Sequence, residues 1–244
     1  MSSDCYSRIF LLSHMRAFTS LLGHILGSHP AINGYFELHI SYDNPAALDK
    51  QAGELCRYEP LKDSSRYLFD KLLHNDYRLM PALLAVNDAT VLVSLREPAA
   101  SIKSIVNLFA RKASGDQYEQ PKEAATYYIE RVRRLTEFCA SAAHPYYYLD
   151  AESIRTKPEQ LLPALTRWLD LYPPLSPRYK TFSQTGKPRK GDSSALIRSG
   201  EIDQSASDYS HVYIEPDLLA KAVSTYRECR RNMIANAADC ILLH

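Results

Sequence analysis

Short apolar runs alternate along the chain with stretches of helical period. Ile9-Phe10-Leu11-Leu12 is a continuous apolar run of strand length, the pattern of a strand buried on both faces in a parallel sheet. A mixed loop, residues 13–20, separates it from Leu21, Leu22, Ile25 and Leu26, which recur at helical spacing. Thr19 and Ser20 suit the cap of that helix, and Gly27 with Pro30 suits its end. Residues 90–95, rich in β-branched side chains, predict a second buried strand. Arg96-Glu97-Pro98 follows, with Pro98 in place for the first turn of a helix whose apolar face is Ile102, Ile105, Val106 and Phe109. Tyr146 to Leu149 predicts a third strand with side chains on alternating faces, and residues 158–171 the helix after it. Two more helical stretches, at about residues 121–143 and 216–238, stand outside the alternation. Residues 173–213 are polar and weakly periodic, as a functional lid would be.

Strands alternating with helices at crossover length predict an α/β fold of three layers. A central, mostly parallel sheet is flanked by helices, in a single domain spanning residues 1–244. Twenty-nine basic and 28 acidic residues leave a net charge of +1, which argues against a surface built for nucleic acid and requires any anion site to be a local cluster. The five cysteines are scattered, odd in number and free of Cys-x-x-Cys, so reduced thiols are expected. The eight histidines show no metal-ligand spacing, and no metal is expected. The first apolar run is too short for a signal peptide or a membrane span, which points to a cytoplasmic protein without one. Arg131, Arg133 and Arg134, on a long amphipathic helix, read as a solvated face.

Ligands of parallel α/β sheets bind beyond the carboxyl ends of strands, where helix N-termini offer free amides and a positive dipole end. Two loops occupy such positions. The first carries Arg16, Ala17, Phe18, Thr19 and Ser20; the second starts at Arg96, with Ser104 eight residues on. Each suits a phosphate or sulfate. The first loop has no glycine and no Gly-Lys-Ser/Thr, so it is not a Walker A motif. A strand, loop and helix with one arginine is also common without any ligand.

Taken together, the segments resemble the sulfotransferases that use 3′-phosphoadenosine 5′-phosphosulfate (PAPS). Arg16-Ala17-Phe18-Thr19-Ser20-Leu21-Leu22, with Ser28-His29-Pro30 behind it, is similar to that family's Arg-Ser-Gly-Thr/Ser-Thr/Ser-Leu-Leu segment and its helix ending near Ser/Ala-His-Pro. Arg96-Glu97-Pro98 after an apolar strand, with Ser104, resembles the second motif, Arg-Asp/Asn-Pro with a serine eight residues past the arginine. Tyr148-Leu149-Asp150 resembles the third strand's end, and residues 185–194 the basic loop that closes over the nucleotide. The four segments run in the family's order from residue 9 to about residue 200.

The resemblance implies a parallel α/β sheet related to nucleotide kinases, and roles for particular residues. Arg16 would contact the 5′-phosphosulfate and offset charge on the bridging oxygen. Thr19 and Ser20, with the loop amides of Ala17 and Phe18, would hold the 5′-phosphate. Arg96 and Ser104 would bind the 3′-phosphate, and Arg189, Lys190 and Gly191 would reach the same phosphate or cover the adenine. Glu37, 21 residues past Arg16, stands where several members carry a glutamate base. It lies in Gly34-Tyr35-Phe36-Glu37, an aromatic setting of the kind that raises a carboxyl pKa, and His39 is the rival base. One departure stands out: the family has glycine where Phe18 stands. Phenylalanine enters a left-handed conformation less readily, so a wider loop or weaker donor binding is expected.

PAPS is thus the implied co-substrate, with adenosine 3′,5′-bisphosphate as product and no metal. The acceptor is a small molecule, lipid or carbohydrate bearing a hydroxyl or amine, met by residues 35–61, 117–128 and the region after Asp203. The same reading admits a homo-oligomer. Two alternatives stay open: a homologue that kept the fold and lost the donor, and a nucleotide or phosphate kinase of related fold. His14, His24 and His29 read as structural or surface residues, with His14 also in place to line the donor pocket.

Overall fold

The computed structural model describes residues 6–84, 88–112, 115–187, 195–205 and 208–243. Six strands form its centre: β1 (Ser7–Leu12), β2 (Ile32–Asn33), β3 (Tyr67–Leu72), β4 (Ala89–Leu95), β5 (Tyr146–Asp150) and β6 (Asp239–Ile241). They lie in the order β2-β3-β1-β4-β5-β6, and every pairing is parallel. Ile9 of β1 is level with Phe69 of β3 on one side and Thr90 of β4 on the other. The helices are α1 (Thr19–Ser28), α2 (Pro45–Cys56), α3 (Pro98–Lys112), α4 (Pro121–Ser141), α5 (Ser153–Thr156), α6 (Pro158–Trp168) and α7 (Pro216–Asn236).

Because side chains alternate along a strand, each central strand feeds two cores. Ile9 and Leu11 pack with Leu22, Ile25 and Leu26 of α1 and Leu161 and Leu165 of α6. Phe10 and Leu12 pack on the other face with Ile102 and Ile105 of α3, Val132 of α4 and Met233 of α7. β5 follows the same rule: Tyr146 and Tyr148 enter the second core, while Tyr147 stacks on Trp168 at 4.7 Å on the opposite face. The chain leaves β1 for one face of the sheet and β4 for the other. The carboxyl ends of these adjacent strands therefore open a crevice at the point where the winding reverses.

Two glycines bring the next segment to that edge. A β-carbon on Gly23 would lie 2.4 Å from the Tyr35 carbonyl oxygen, and one on Gly27 would lie 2.7 Å from that of Gly34. Their bare surface lets α1 rest on the backbone of residues 34–35, which leads directly to Glu37.

Two expectations are corrected. Phe18, not Thr19 or Ser20, is the N-cap residue of α1, and it supplies no side-chain hydrogen bond. Arg133 and Arg134 are exposed, but Arg131 is 5% exposed rather than solvated. Its Nε donates to the Ser13 carbonyl at 2.8 Å and its Nη1 to that of His74 at 3.3 Å, while Nη2 donates to Leu72. The carboxyl ends of β1 and β3 leave carbonyls to be satisfied, and one guanidinium satisfies three of them.

Cys56, Cys139, Cys229 and Cys240 are free thiols, and Cys5 lies outside the described residues. Among the described residues no helix is long and apolar enough to cross a membrane.

Candidate active site

The loop after β1 is held in a shape its sequence does not favour. Arg16 (φ 65°) and Phe18 (φ 55°) both take the left-handed conformation, at a cost on the order of 1 kcal/mol each. Phe18 does so in the place where the resembling family has glycine. Several contacts fix the shape. Met15 N–H donates to the Tyr127 hydroxyl at 2.9 Å, and that hydroxyl donates to the Leu73 carbonyl at 2.7 Å. The Phe18 ring lies 4.3 Å from the Arg96 guanidinium carbon and 5.0 Å from that of Arg155. His14 is fully buried, with Nδ1 donating to the Met15 carbonyl at 2.9 Å and Nε2 accepting from Arg96 N–H at 3.0 Å. Burial, followed by the nearby Arg96 and Arg131 charges, drives its pKa down to about 3, so it stays neutral.

The second loop meets the first directly. Arg96 Nη1 donates to the Arg16 carbonyl at 2.8 Å, and Arg16 Nε donates to Ser104 Oγ at 3.0 Å. Arg96 Nε lies 3.9 Å from Glu152 Oε1 and makes no hydrogen bond to a described group. Arg155 is held over Phe18 by donating to the carbonyls of Asp203, at 2.7 Å, and Ser205. Ser104 Oγ also reaches the Tyr209 hydroxyl at 3.1 Å. The arginines of the two loops thus converge on one place, above α1 amides that Phe18 does not cap.

Beside them, β3 contributes a buried lysine. Lys71, 2% exposed, points Nζ at Ser20 Oγ, 3.1 Å away at the start of α1. On the far side of β3, Glu37 is buried and its Oε1 lies 3.8 Å from His74 Nε2. His39 joins them, and one ligand atom from each of the three lies within 4.8 Å of the others. Arg131 and Tyr127 tie this group to the first loop through the carbonyls of Ser13, Leu73 and His74.

Asp70 anchors the backbone beside Glu37. Its carboxylate accepts Leu38 N–H at 3.0 Å, Lys71 N–H at 2.7 Å and the Tyr42 hydroxyl at 2.7 Å. Burial raises its pKa from 3.8 to about 7, against those hydrogen bonds and with the Glu37 charge adding to the rise. Below about pH 4 Asp70 is protonated whether the chain is folded or not, and its contribution to stability is whole. That contribution is lost as the pH rises through about 7, because the unfolded chain releases the proton first. Asp70→Asn keeps an acceptor for the amides and is expected to flatten this decline in the urea midpoint between pH 4 and 7. A decline as steep as in the wild type would remove Asp70 from the account.

Of the residues singled out from sequence, Arg16, Ala17, Phe18, Thr19, Ser20, Arg96 and Ser104 come together around the two loops. Glu37 and His39 share the neighbouring cluster. Arg189, Lys190 and Gly191 lie outside the described residues. The chain leading to them is docked by Phe182 stacked on Tyr35 at 4.2 Å and by Thr185 Oγ1 2.9 Å from His24 Nε2. His24 and His29 are buried and hydrogen-bonded, in keeping with structural roles. Lys71, His74 and Arg155 were not found from sequence. The available signal for Lys71 is an Asp70-Lys71 pair set inside an otherwise apolar stretch of strand length.

No protein-family model matches the sequence, and no curated protein does. Solved structures do. The sulfotransferase domain from the curacin biosynthetic pathway is similar over 92% of this chain and 98% of its own, at 20% identity and a TM-score of 0.57. The sulfotransferase domain of the Synechococcus PCC 7002 olefin synthase matches over 90% and 94%, at 17% identity and a TM-score of 0.60. Mouse sulfotransferase SULT7A1, complexed with PAP, matches over 96% and 90%, at 14% identity and a TM-score of 0.55. The six-stranded parallel sheet with its flanking helices is the sulfotransferase fold.

Proposed function

We propose that this chain, as a single catalytic domain in the cytoplasm, transfers a sulfuryl group from PAPS to a hydroxyl or amine of a small-molecule, lipid or carbohydrate acceptor. The observation that carries this reading is the joining of the two loops: Arg96 on the Arg16 carbonyl, and Arg16 on Ser104. They meet at the crevice between β1 and β4, with a buried carboxylate, Glu37, in the segment after β2.

In this reading the α1 amides, Thr19 and Ser20 take the 5′-phosphate, and Arg96 and Ser104 take the 3′-phosphate. Arg189, Lys190 and Gly191, outside the described residues, are assigned by the resemblance to the same 3′-phosphate or to the adenine. Arg16, with Lys71 behind Ser20, faces the charge that grows on the bridging oxygen. The acceptor oxygen or nitrogen attacks sulfur in line, the sulfur–oxygen bond to the phosphate breaks, and the acceptor proton passes to Glu37. His39 is the second candidate base. Like phosphoryl transfer, the reaction asks the protein mainly for positioning and charge stabilisation. The transferred group carries less charge than a phosphoryl group, so guanidinium groups and amides suffice for it.

Calorimetry with two nucleotides tests the donor site. Arg96→Ala is expected to weaken adenosine 3′,5′-bisphosphate about 10- to 100-fold, the equivalent of roughly 1.5–3 kcal/mol for hydrogen bonds to a charged group, and adenosine 5′-monophosphate far less. Equal affinity of the wild type for the two nucleotides would defeat the Arg96 assignment. No thermal shift with the bisphosphate at millimolar concentration would favour a homologue that has lost the donor.

A further inference from the structure

We propose that Glu37, His39 and His74 form an open three-ligand site for a divalent transition metal, with Zn²⁺ as the type case. The donor set, two imidazole nitrogens and one carboxylate oxygen, suits zinc, cobalt, nickel and copper rather than magnesium or calcium. The three donor atoms already lie within 4.8 Å of one another, and Glu37 Oε1 is 3.8 Å from His74 Nε2. Donors bonded to zinc at about 2.0–2.1 Å in a tetrahedron sit roughly 3.4 Å apart, so side-chain rotations of about 1 Å close the set.

Each ligand is carried on a fixed support. Glu37 is buried, and the next amide in the chain is bound by Asp70. The His74 carbonyl is held by Arg131 Nη1, and the His74 ring lies 6.3 Å from that of Tyr127. His39 reaches the cluster from a left-handed backbone (φ 58°), with its ring edge-on to Tyr77 at 5.3 Å and 6.3 Å from the His74 ring. That conformation costs a β-carbon-bearing residue about 1 kcal/mol and here turns an imidazole towards the other two ligands. His39 and His74 are half-buried, so an ion has a way in. Three protein ligands also leave a fourth position for water, as in zinc sites that exchange their outer ligand. Among the described residues this is the group of histidine and carboxylate side chains arranged to hold an ion. Its two histidines are 35 positions apart, which hides it from any spacing motif.

Metal binding itself does not depend on sulfuryl transfer. If Glu37 is the base, however, an ion bound there takes the carboxylate lone pair, and excess Zn²⁺ suppresses turnover without displacing the nucleotide.

Cobalt(II) titrated into the full chain, read by its visible ligand-field absorption and by displacement with Zn²⁺, tests the site. One equivalent is expected to bind. His39→Ala and His74→Ala should each weaken it by about 10-fold or more, and His211→Ala, whose ring lies beside Asn107, should leave it unchanged. Circular dichroism checks that the variants fold, and His39→Ala alone decides the matter if His74→Ala does not. A wild type that binds cobalt no better than the His39→Ala/His74→Ala double variant overturns the proposal, as does loss of the signal in His211→Ala. A chain that binds the bisphosphate but no cobalt refutes the metal site alone; one that binds cobalt but no nucleotide refutes the sulfotransferase reading alone.

Discussion

Glu37→Gln is expected to lower kcat by roughly 10²- to 10⁴-fold, the span associated with removing a positioned general base. Affinity for adenosine 3′,5′-bisphosphate should change little. Glutamine matches the shape of the buried side chain and keeps its place beside His74, but it cannot take the acceptor's proton. In the proposed reading the loops after β1 and β4 carry the nucleotide groups, whereas Glu37 follows β2, so chemistry and donor binding should separate cleanly. Turnover with labelled PAPS and calorimetry with the bisphosphate give the two readings. If His39 is the base instead, His39→Gln produces the large loss and Glu37→Gln a small one. A Glu37→Gln enzyme that retains wild-type turnover would end the assignment.

Arg131→Met is expected to cost about 3–5 kcal/mol of stability, because hydrogen bonds from a charged group contribute about 1.5–3 kcal/mol each and two close ones and one longer one are lost. The apolar replacement fills much of the volume but offers no donor to the carbonyls of Ser13, Leu72 and His74. The Ser13 carbonyl loses this donor outright, while those of Leu72 and His74 keep only Ser13 N–H at 3.2 Å and Tyr77 N–H at 3.4 Å. For a domain of this size the loss corresponds to a melting temperature roughly 6 to 20 °C lower, which calorimetry measures directly. Arg131→Lys should recover only part of it, because one ammonium on a flexible stem does not reproduce a planar fork across two strand ends. A melting temperature within about 2 °C of wild type in the methionine variant would show that water satisfies these carbonyls instead.

The legible parts of the fold were those where burial writes an unbroken pattern. β1 and β4 are apolar on both faces because helices cover both sides of the sheet, and their loops could be placed from that alone. β3 was missed although it pairs along the whole of β1, because Asp70 and Lys71 break its apolar run. Both are buried, and both serve the neighbourhood of the site. The local rule fails where chemistry has been set inside the core. β2 and β6, of two and three residues, are too short to carry a period. Glu37 is legible only through the resemblance, as the glutamate 21 residues past Arg16, whereas His74 reaches it through the parallel pairing of β2 with β3. Arg155 likewise arrives from α5, the short helix after β5, and no local pattern announces its place over Phe18. The cap of α1 was misjudged because serine and threonine at a helix start usually accept a backbone amide. Here Ser20 Oγ instead receives Lys71 Nζ.

The wedge at Phe18 has a consequence for how an anion is received. Two guanidinium groups, those of Arg96 and Arg155, lie within 5.0 Å of the centre of one aromatic ring. Like charges so placed repel each other, and the electron-rich ring softens that repulsion while fixing where each cation rests. The freedom of two long side chains is thus surrendered during folding, and the anion of the proposed reading would meet a preorganised receptor. Glycine at this place would ease the turn but remove the ring, leaving the two guanidinium groups to their carbonyl partners at Arg16, Asp203 and Ser205.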